Sequence, residues 1–240
     1  AQGDARVIRK EPIVAKRGYI TDRNGVPLAI TTPVSAVVIN PKVIDTTDSN
    51  WPKVLKLLHL DMVNMTTRLS DNRKRGFMYL KRQLPPHLAK EVADLKVPGV
   101  FIVPEYKRYY PAAEVTAHVV GVTNVDDEGQ EGIELAYNKA LRGKSGKKRV
   151  LKDRLGRIVR DVENVKSSVP GLELKLSIDK RIQFLAYREL AHAVKNHQAI
   201  GGTLVMLDVK TGEVIAMVGQ PSFNPNNRSW LKNTARNRSI

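Results

Sequence analysis

Hydrophobic and polar positions change rhythm several times along this chain. Residues 7–44 read as strands and turns. Asn24-Gly25, set between Ile20 and Leu28, is a strong hairpin signal, because both central residues of such a turn accept positive φ. Pro33 and Pro41 bracket the β-branched run Val37–Ile39, a short strand. From 48 to 96 the spacing becomes helical. Ser49 and Asn50 are capping candidates ahead of Pro52, and Val54, Leu55, Leu57 and Leu58 form an apolar stripe. Met62, Met65 and Leu69 predict a second short helix, and Gly76 releases a strand over Phe77–Gln83. Pro85-Pro86 opens a helix through Leu88, Val92 and Leu95, which Pro98-Gly99 ends.

The pattern then returns to β. Val100–Val103 predicts a strand. Lys148–Lys152 and Arg157–Val162 flank Asp153-Arg154-Leu155-Gly156, a turn, and Glu131–Leu141 predicts a short helix. Ser167-Ser168-Val169-Pro170-Gly171 is polar and turn-forming, which places a domain boundary at residue 170. Beyond it, Leu172, Leu174 and Leu176 alternate as a half-buried strand. Asp179 caps a helix carrying Ile182, Leu185, Ala186, Leu190, Ala193 and Val194 on one face. Two apolar strands, Thr203–Asp208 and Val214–Val218, meet at Lys210-Thr211-Gly212, and their near-continuous hydrophobicity predicts cover on both faces. With no later neighbours for these strands, residues 173–240 are expected to be ordered only under cover. The fold class is α+β, with residues 48–99 as a small α/β lobe inserted between β segments.

Composition narrows the class without choosing a function. The 240 residues are 42% hydrophobic and 27% charged, a globular balance with room for one large or two modest domains. The absence of cysteine excludes thiolate metal sites, cysteine nucleophiles and disulfides. No run approaches the roughly 20 apolar residues of a membrane span. The formal charge is +16, and half of it lies in residues 142–160. There Arg142, Lys144, Lys147, Lys148, Arg149, Lys152, Arg154, Arg157 and Arg160 face the single acid Asp153, a net +8. Such a patch attracts any anionic surface, so a nucleic-acid-binding protein is the alternative reading. No zinc-finger, helix-turn-helix or aromatic RNA-binding pattern accompanies it, and aromatics are only 5%.

Candidate chemistry is sparse. Ser145-Gly146-Lys147-Lys148 fits S-x-x-K, Ser70-Asp71-Asn72 fits S-D-N, and Lys210-Thr211-Gly212 is K-T-G, three strings of penicillin-recognising serine enzymes. The chemistry needs the serine at a helix start in a dry pocket, with a lysine one turn on. Ser145 lies among glycines and charges, Ser70 precedes it in the wrong order, and Lys210 sits at a hairpin tip, so all three read as coincidences. His192 and His197 are five apart and miss the i, i+4 metal spacing. Asp126-Asp127-Glu128 lacks spaced calcium ligands and reads as a solvated acidic turn.

Three other segments carry more. Arg17-Gly18 with Asp22-Arg23 places opposite charges across a tight hairpin, where charge-assisted hydrogen bonds are expected to fix a β junction. Arg108-Tyr109-Tyr110-Pro111, Ala117-His118-Val119-Val120-Gly121 and Glu131-Gly132-Ile133-Glu134 compose a polar joint, in which Arg108 pairs with Glu131 or Glu134. The hairpin Leu204–Met217 follows. In this order and spacing they resemble the periplasmic part of class B penicillin-binding proteins, nearest the division-specific FtsI type. The resemblance is strongest over 17–29, 105–134 and 203–227. It implies an elongated, β-rich, non-catalytic pedestal over 1–170 with 48–99 as its head lobe. The first strand, helix and hairpin of a transpeptidase domain follow over 171–240. It implies a serine-type peptidoglycan D,D-transpeptidase acting at the division septum, whose nucleophile lies a few residues beyond Ile240. It further implies a single-pass anchor ahead of Ala1, at the periplasmic face of the inner membrane. Partners would be an FtsW-type glycosyltransferase, other division proteins and peptidoglycan, with β-lactams acting only through the later catalytic region. No cofactor, metal or nucleic acid is implied. Arg17, Gly18, Asp22, Arg23, Arg108, Gly121, Gly132 and Glu134 take the role of interlocking structural motifs that support the catalytic domain.

Overall fold

Where the sequence alternates between period 2 and period 3.6, the chain alternates between strand and helix. The structure is a computed structural model that describes residues 7–152 and 158–227. Its elements run β1 (Val7–Ile13), β2 (Ile20–Thr21), β3 (Pro27–Ile39), α1 (Trp51–Leu57), α2 (Met62–Asp71), β4 (Met78–Leu84), α3 (Pro86–Asp94) and β5 (Val100–Tyr109). A single 3-10 turn (Ala113–Val115), α4 (Ala117–Val120), α5 (Gly132–Ala136), α6 (Asn138–Leu141), β6 (Gly146–Lys152) and β7 (Ile158–Lys166) come next. β8 (Leu174–Lys175), α7 (Lys180–Asn196), β9 (Gly202–Leu207) and β10 (Val214–Gln220) complete the series. The turn expected at 153–156 lies outside the described residues.

Two compact units result, and neither is one continuous stretch of chain. The first takes Ala1–Val14, Pro33–Lys107 and Ser145–Ser168. It holds an antiparallel sheet ordered β1-β6-β7 and the helical lobe. In the lobe, Trp51, Val54, Leu55 and Leu58 from α1 and its end pack with Met65, Val92, Met78, Leu80, Val37 and Ile39. The helix starts follow local chemistry. Asp61 caps α2 by accepting from the Asn64 amide at 2.8 Å, and Pro86 opens α3 where a missing N–H costs nothing. Asn50 stands at the start of α1 without a side-chain capping bond.

Two strands run longer than their sequence signals. Val37–Ile39 ends a 13-residue strand that contains Pro33. That proline falls between the stretch paired with β2, through Pro27 and Ala29, and the stretch paired with β4 from Ser35. Its absent N–H therefore removes a bond from neither the β2 nor the β4 ladder. β5 also continues past Val103 to Tyr109, which carries Arg108 onto a strand.

The second unit comprises Ala15–Thr32, Arg108–Lys144 and Val169–Ile240. Its first core gathers Ile20, Leu28, Ala29, Tyr110, Ala112, Val120 and Leu141. β2 pairs antiparallel with β3 and parallel with β8, where Ile20 faces Leu174. The strand expected at Leu172–Leu176 shrinks to two residues, because Leu172 is 69% exposed and its amide bonds instead to the Ala140 carbonyl. α7 packs Ala186 against Ala216 and Val218 of β10, with Ile182 and Leu190 alongside. Asp179 caps it through the Arg181 amide at 2.9 Å. β9 and β10 form a hairpin whose cover differs from expectation. β10 buries Ile215, Ala216 and Val218, whereas Val205, Met206 and Leu207 of β9 stay 43–55% exposed. Among the described residues, no helix is long and apolar enough to cross a membrane.

Candidate functional site

Arg17 precedes β2, Arg108 lies next to the last residue of β5 and Glu134 lies in α5, yet the fold brings the three together inside the second unit. All three side chains are fully buried. Arg17 Nε donates to Glu134 Oε2 and Arg108 Nε to Oε1, each at 2.7 Å. The carboxylate is thus held at both oxygens by separate cations, which makes its charge tolerable out of water.

The other guanidinium N–H groups knit the surrounding backbone. Arg17 Nη1 donates to the Asp127 carbonyl at 3.0 Å and to Asn138 Oδ1 at 2.8 Å, and Nη2 to the Glu134 carbonyl at 2.9 Å. Arg108 Nη1 donates to the Gly18 carbonyl at 2.8 Å and Thr31 Oγ1 at 2.9 Å. Of the two acids left open as partners of Arg108, Glu134 is the one. The role expected for Arg17 across the hairpin with Asp22 and Arg23 is replaced by this more distant one.

Gly121 and Gly132 place α5. Both have positive φ, 78° and 58°. A Cβ on Gly121 would collide with the Glu131 carbonyl, and one on Gly132 would stand 2.6 Å from the Val119 carbonyl and 2.7 Å from the Gly121 nitrogen. Two backbones cross here at a distance only glycine permits, and the helix carrying Glu134 starts at that crossing.

Asp22 does a different job. Its Oδ1 accepts the amides of Asn24 and Val26, both at 2.8 Å, and its Oδ2 the Lys180 amide at 3.0 Å. Burial pushes its carboxyl up, but these backbone donors outweigh that and hold it below its usual value. The hairpin turn is therefore held by Asp22, and only Gly25 of the Asn24-Gly25 pair takes positive φ, at 81°. Asn24 Nδ2 also reaches Asp179 Oδ2 at 3.1 Å, and the Arg181 guanidinium holds Asp179 well below the usual carboxylate range. Arg23 meets Glu213 at 3.2 Å with both side chains more than a third exposed, a contact of little energetic weight.

Asn138 and Gln183 left no mark in the sequence, Tyr110 shows there only as part of the joint, and Asp127, expected in a solvated turn, is half-buried. Asn138 accepts from Arg17 and from the Gly129 amide and donates to Glu128 Oε2 at 2.6 Å. Tyr110 accepts the Thr123 amide at 2.9 Å, and burial, reinforced by Glu134, pushes its phenol far up. Asp127 has φ 63°, and burial raises its carboxyl to about 6 against the pull of Arg17 and Arg108. Gln183 of α7 donates to the carbonyls of Val115 and Met217 and accepts the Met217 amide at 2.8 Å.

Among the described residues, none of the three motif strings supplies a hydrogen bond to this cluster. Ser145 is exposed just ahead of β6, Ser70 spends its hydroxyl on the Thr67 carbonyl at 2.7 Å, and Lys210 is exposed at the β9–β10 turn. His118 is buried against Phe223 and contacts the Pro221 carbonyl at 3.1 Å. Among the described residues no group of acids and histidines could hold a metal. The arrangement is a clamp.

Comparison with known proteins then supplies a family. A family model described as the penicillin-binding protein dimerisation domain matches residues 12–176, and one for the penicillin-binding protein transpeptidase domain matches 202–240. This chain belongs to the penicillin-binding protein family. All of it aligns at 42% identity with the peptidoglycan D,D-transpeptidase FtsI of Escherichia coli K12, covering 42% of that protein. It is 40% identical, again over its whole length, to the probable peptidoglycan D,D-transpeptidase PbpC of Pseudomonas aeruginosa, of which it spans 42%. Among solved structures, 92% of the chain superposes at a TM-score of 0.66 and 25% identity on 44% of a chain from the Helicobacter pylori PBP2–MreC complex. The chain spans less than half the length of each of these relatives.

Proposed function

We propose that this chain is the scaffold portion of a septal peptidoglycan D,D-transpeptidase, together with the opening of its catalytic domain. In this reading residues 1–170 form the pedestal, with 48–99 as its head lobe, and residues 171–240 begin the transpeptidase domain. The Arg17–Glu134–Arg108 clamp, Gly18, the Gly121–Gly132 crossing and the turn at Asp22 and Arg23 position that domain. In the whole protein a serine carried by later polypeptide attacks the carbonyl of the D-Ala-D-Ala peptide bond, the terminal D-alanine leaves with the serine's proton, and an acyl-enzyme ester results. A neighbouring stem-peptide amine then attacks that ester, the serine leaves, and a cross-link results. The protein works at the periplasmic face of the inner membrane and docks a glycosyltransferase of FtsW type. Docking on a partner protein is supported by the H. pylori relative, which is a complex of PBP2 with MreC.

The observation that carries this reading is the order of the two family matches along one chain, with 42% identity to FtsI throughout. Fluorescent penicillin tests it. The 240-residue chain is expected to take no covalent label, while the full-length gene product labels at a single serine. Labelling of a hydroxyl within the 240 residues would overturn the scaffold assignment, and an unlabelled full-length product would overturn the transpeptidase assignment.

A further inference from the structure

The β1-β6-β7 sheet has one face turned to solvent, and its side chains make a surface the clamp does not explain. Along β1, Ile8 and Lys10 are exposed while Glu11 and Ile13 are half-buried; along β6, Lys147 and Arg149 are exposed while Val150 is fully buried. Residues directly opposite in an antiparallel pair share a face. Lys10 lies opposite Arg149, Ile8 opposite Leu151, and Lys147 opposite Lys166 of β7. Arg149 is neutralised by Glu163 at 3.3 Å. Lys10, Lys147 and Lys166 make no ion pair among the described residues, so three cations stand uncompensated along this face, and Ile8, 58% accessible, stands at its end two residues from Lys10.

We infer that this face docks on an anionic lipid bilayer. Three features select that occupant. The cations are lysines, flexible point charges that suit a fluid array of phosphates better than the fixed geometry of a folded partner. Aliphatic Ile8 and Leu151 pair at one end of the same face beside Lys10, so apolar and cationic side chains adjoin there, as in surfaces that rest at the boundary of headgroups and acyl chains. Among the described side chains of this face none is aromatic to stack on a base, and Arg149 is already engaged by Glu163, so a nucleic-acid reading loses contacts it would use. A protein interface would be expected to deplete lysine and enrich aromatics. The orientation this gives the sheet is independent of whether the whole protein is a transpeptidase.

Co-sedimentation of the 240-residue chain with vesicles tests the inference. Binding is expected to vesicles of phosphatidylcholine containing roughly one-third phosphatidylglycerol, and to weaken steeply as salt rises. The Lys10→Gln/Lys147→Gln/Lys166→Gln variant should bind about 100-fold more weakly at low salt. Ile8→Ser should retain the low-salt binding and lose what persists at high salt. All four residues are exposed, and circular dichroism checks that the variants remain folded. Equal binding to pure phosphatidylcholine, an unaffected triple variant, or tighter binding to duplex DNA or polyglutamate than to the anionic vesicles would each overturn it.

Discussion

At Glu134 two guanidinium groups share one carboxylate in a site closed to water, so its charge cannot be removed without stranding theirs. Glu134→Gln is expected to destabilise the chain by about 3–5 kcal/mol, the cost of breaking a buried ion pair from one side. Urea denaturation measures it, and a loss under about 1 kcal/mol would show that Arg17 and Arg108 find other partners. Asp127 behaves in the opposite sense. Its carboxyl titrates near 6 in the folded chain against 3.8 when unfolded, so folded protein keeps a proton that the unfolded chain has released. Its favourable contribution is complete below about pH 4 and disappears as the pH climbs through 6. Asp127→Asn should flatten this slope, by up to roughly 3 kcal/mol between pH 4 and 7, less whatever screening its partly exposed edge allows. Stability curves at those two pH values decide the matter, and an unchanged slope in the variant would place the titration elsewhere.

At the scale of elements, Gln183 ties α7 to β10 and to the turn at Val115 with three hydrogen bonds. Gln183→Leu keeps the volume and removes all three, so a loss of about 2–4 kcal/mol is expected. Faster hydrogen exchange at the Met217 amide, with little change in the first unit, is the accompanying signature. Gly132→Ala should be more damaging, because the added methyl meets the backbone of Val119 and Gly121 at a positive φ. Loss of soluble folded protein is the expected outcome, and a well-folded alanine variant would mean that the crossing can open. The glycines were legible from the sequence as motif residues. Their reason, a crossing of two distant stretches, was not, because no local period encodes the approach of residue 121 to residue 132.

For the molecule as a whole, the exposed apolar side chains of β9 are the feature from which self-association is expected. Val205 and Leu207 expose apolar side chains on one face of β9 and Met206 on the other, and among the described residues the strand is joined to β10 alone, which makes it a template for association. Val205→Lys is expected to reduce concentration-dependent self-association of the 240-residue chain, seen by light scattering after size exclusion. The same substitution should change stability by no more than about 0.5 kcal/mol. Association that persists unchanged would place the contact elsewhere on the surface.

The sequence by itself determined what depends on neighbours a few residues apart. It carried the capped start of α7 and part of its apolar face (Ile182, Ala186 and Leu190, but not the exposed Leu185 and Ala193), the three helices of the lobe, the turn at Asn24-Gly25, and the motif order that marks the family. Tertiary structure alone decided the pairings. Arg17 reaches 117 positions to Glu134, Arg108 chooses Glu134 over Glu131, and Asp22 turns from Arg17 to the amide of Lys180. Local spacing records which side chains share a face of one element. It holds no record of which buried charges from separate elements meet, since that follows from how the elements pack and which groups are left without water.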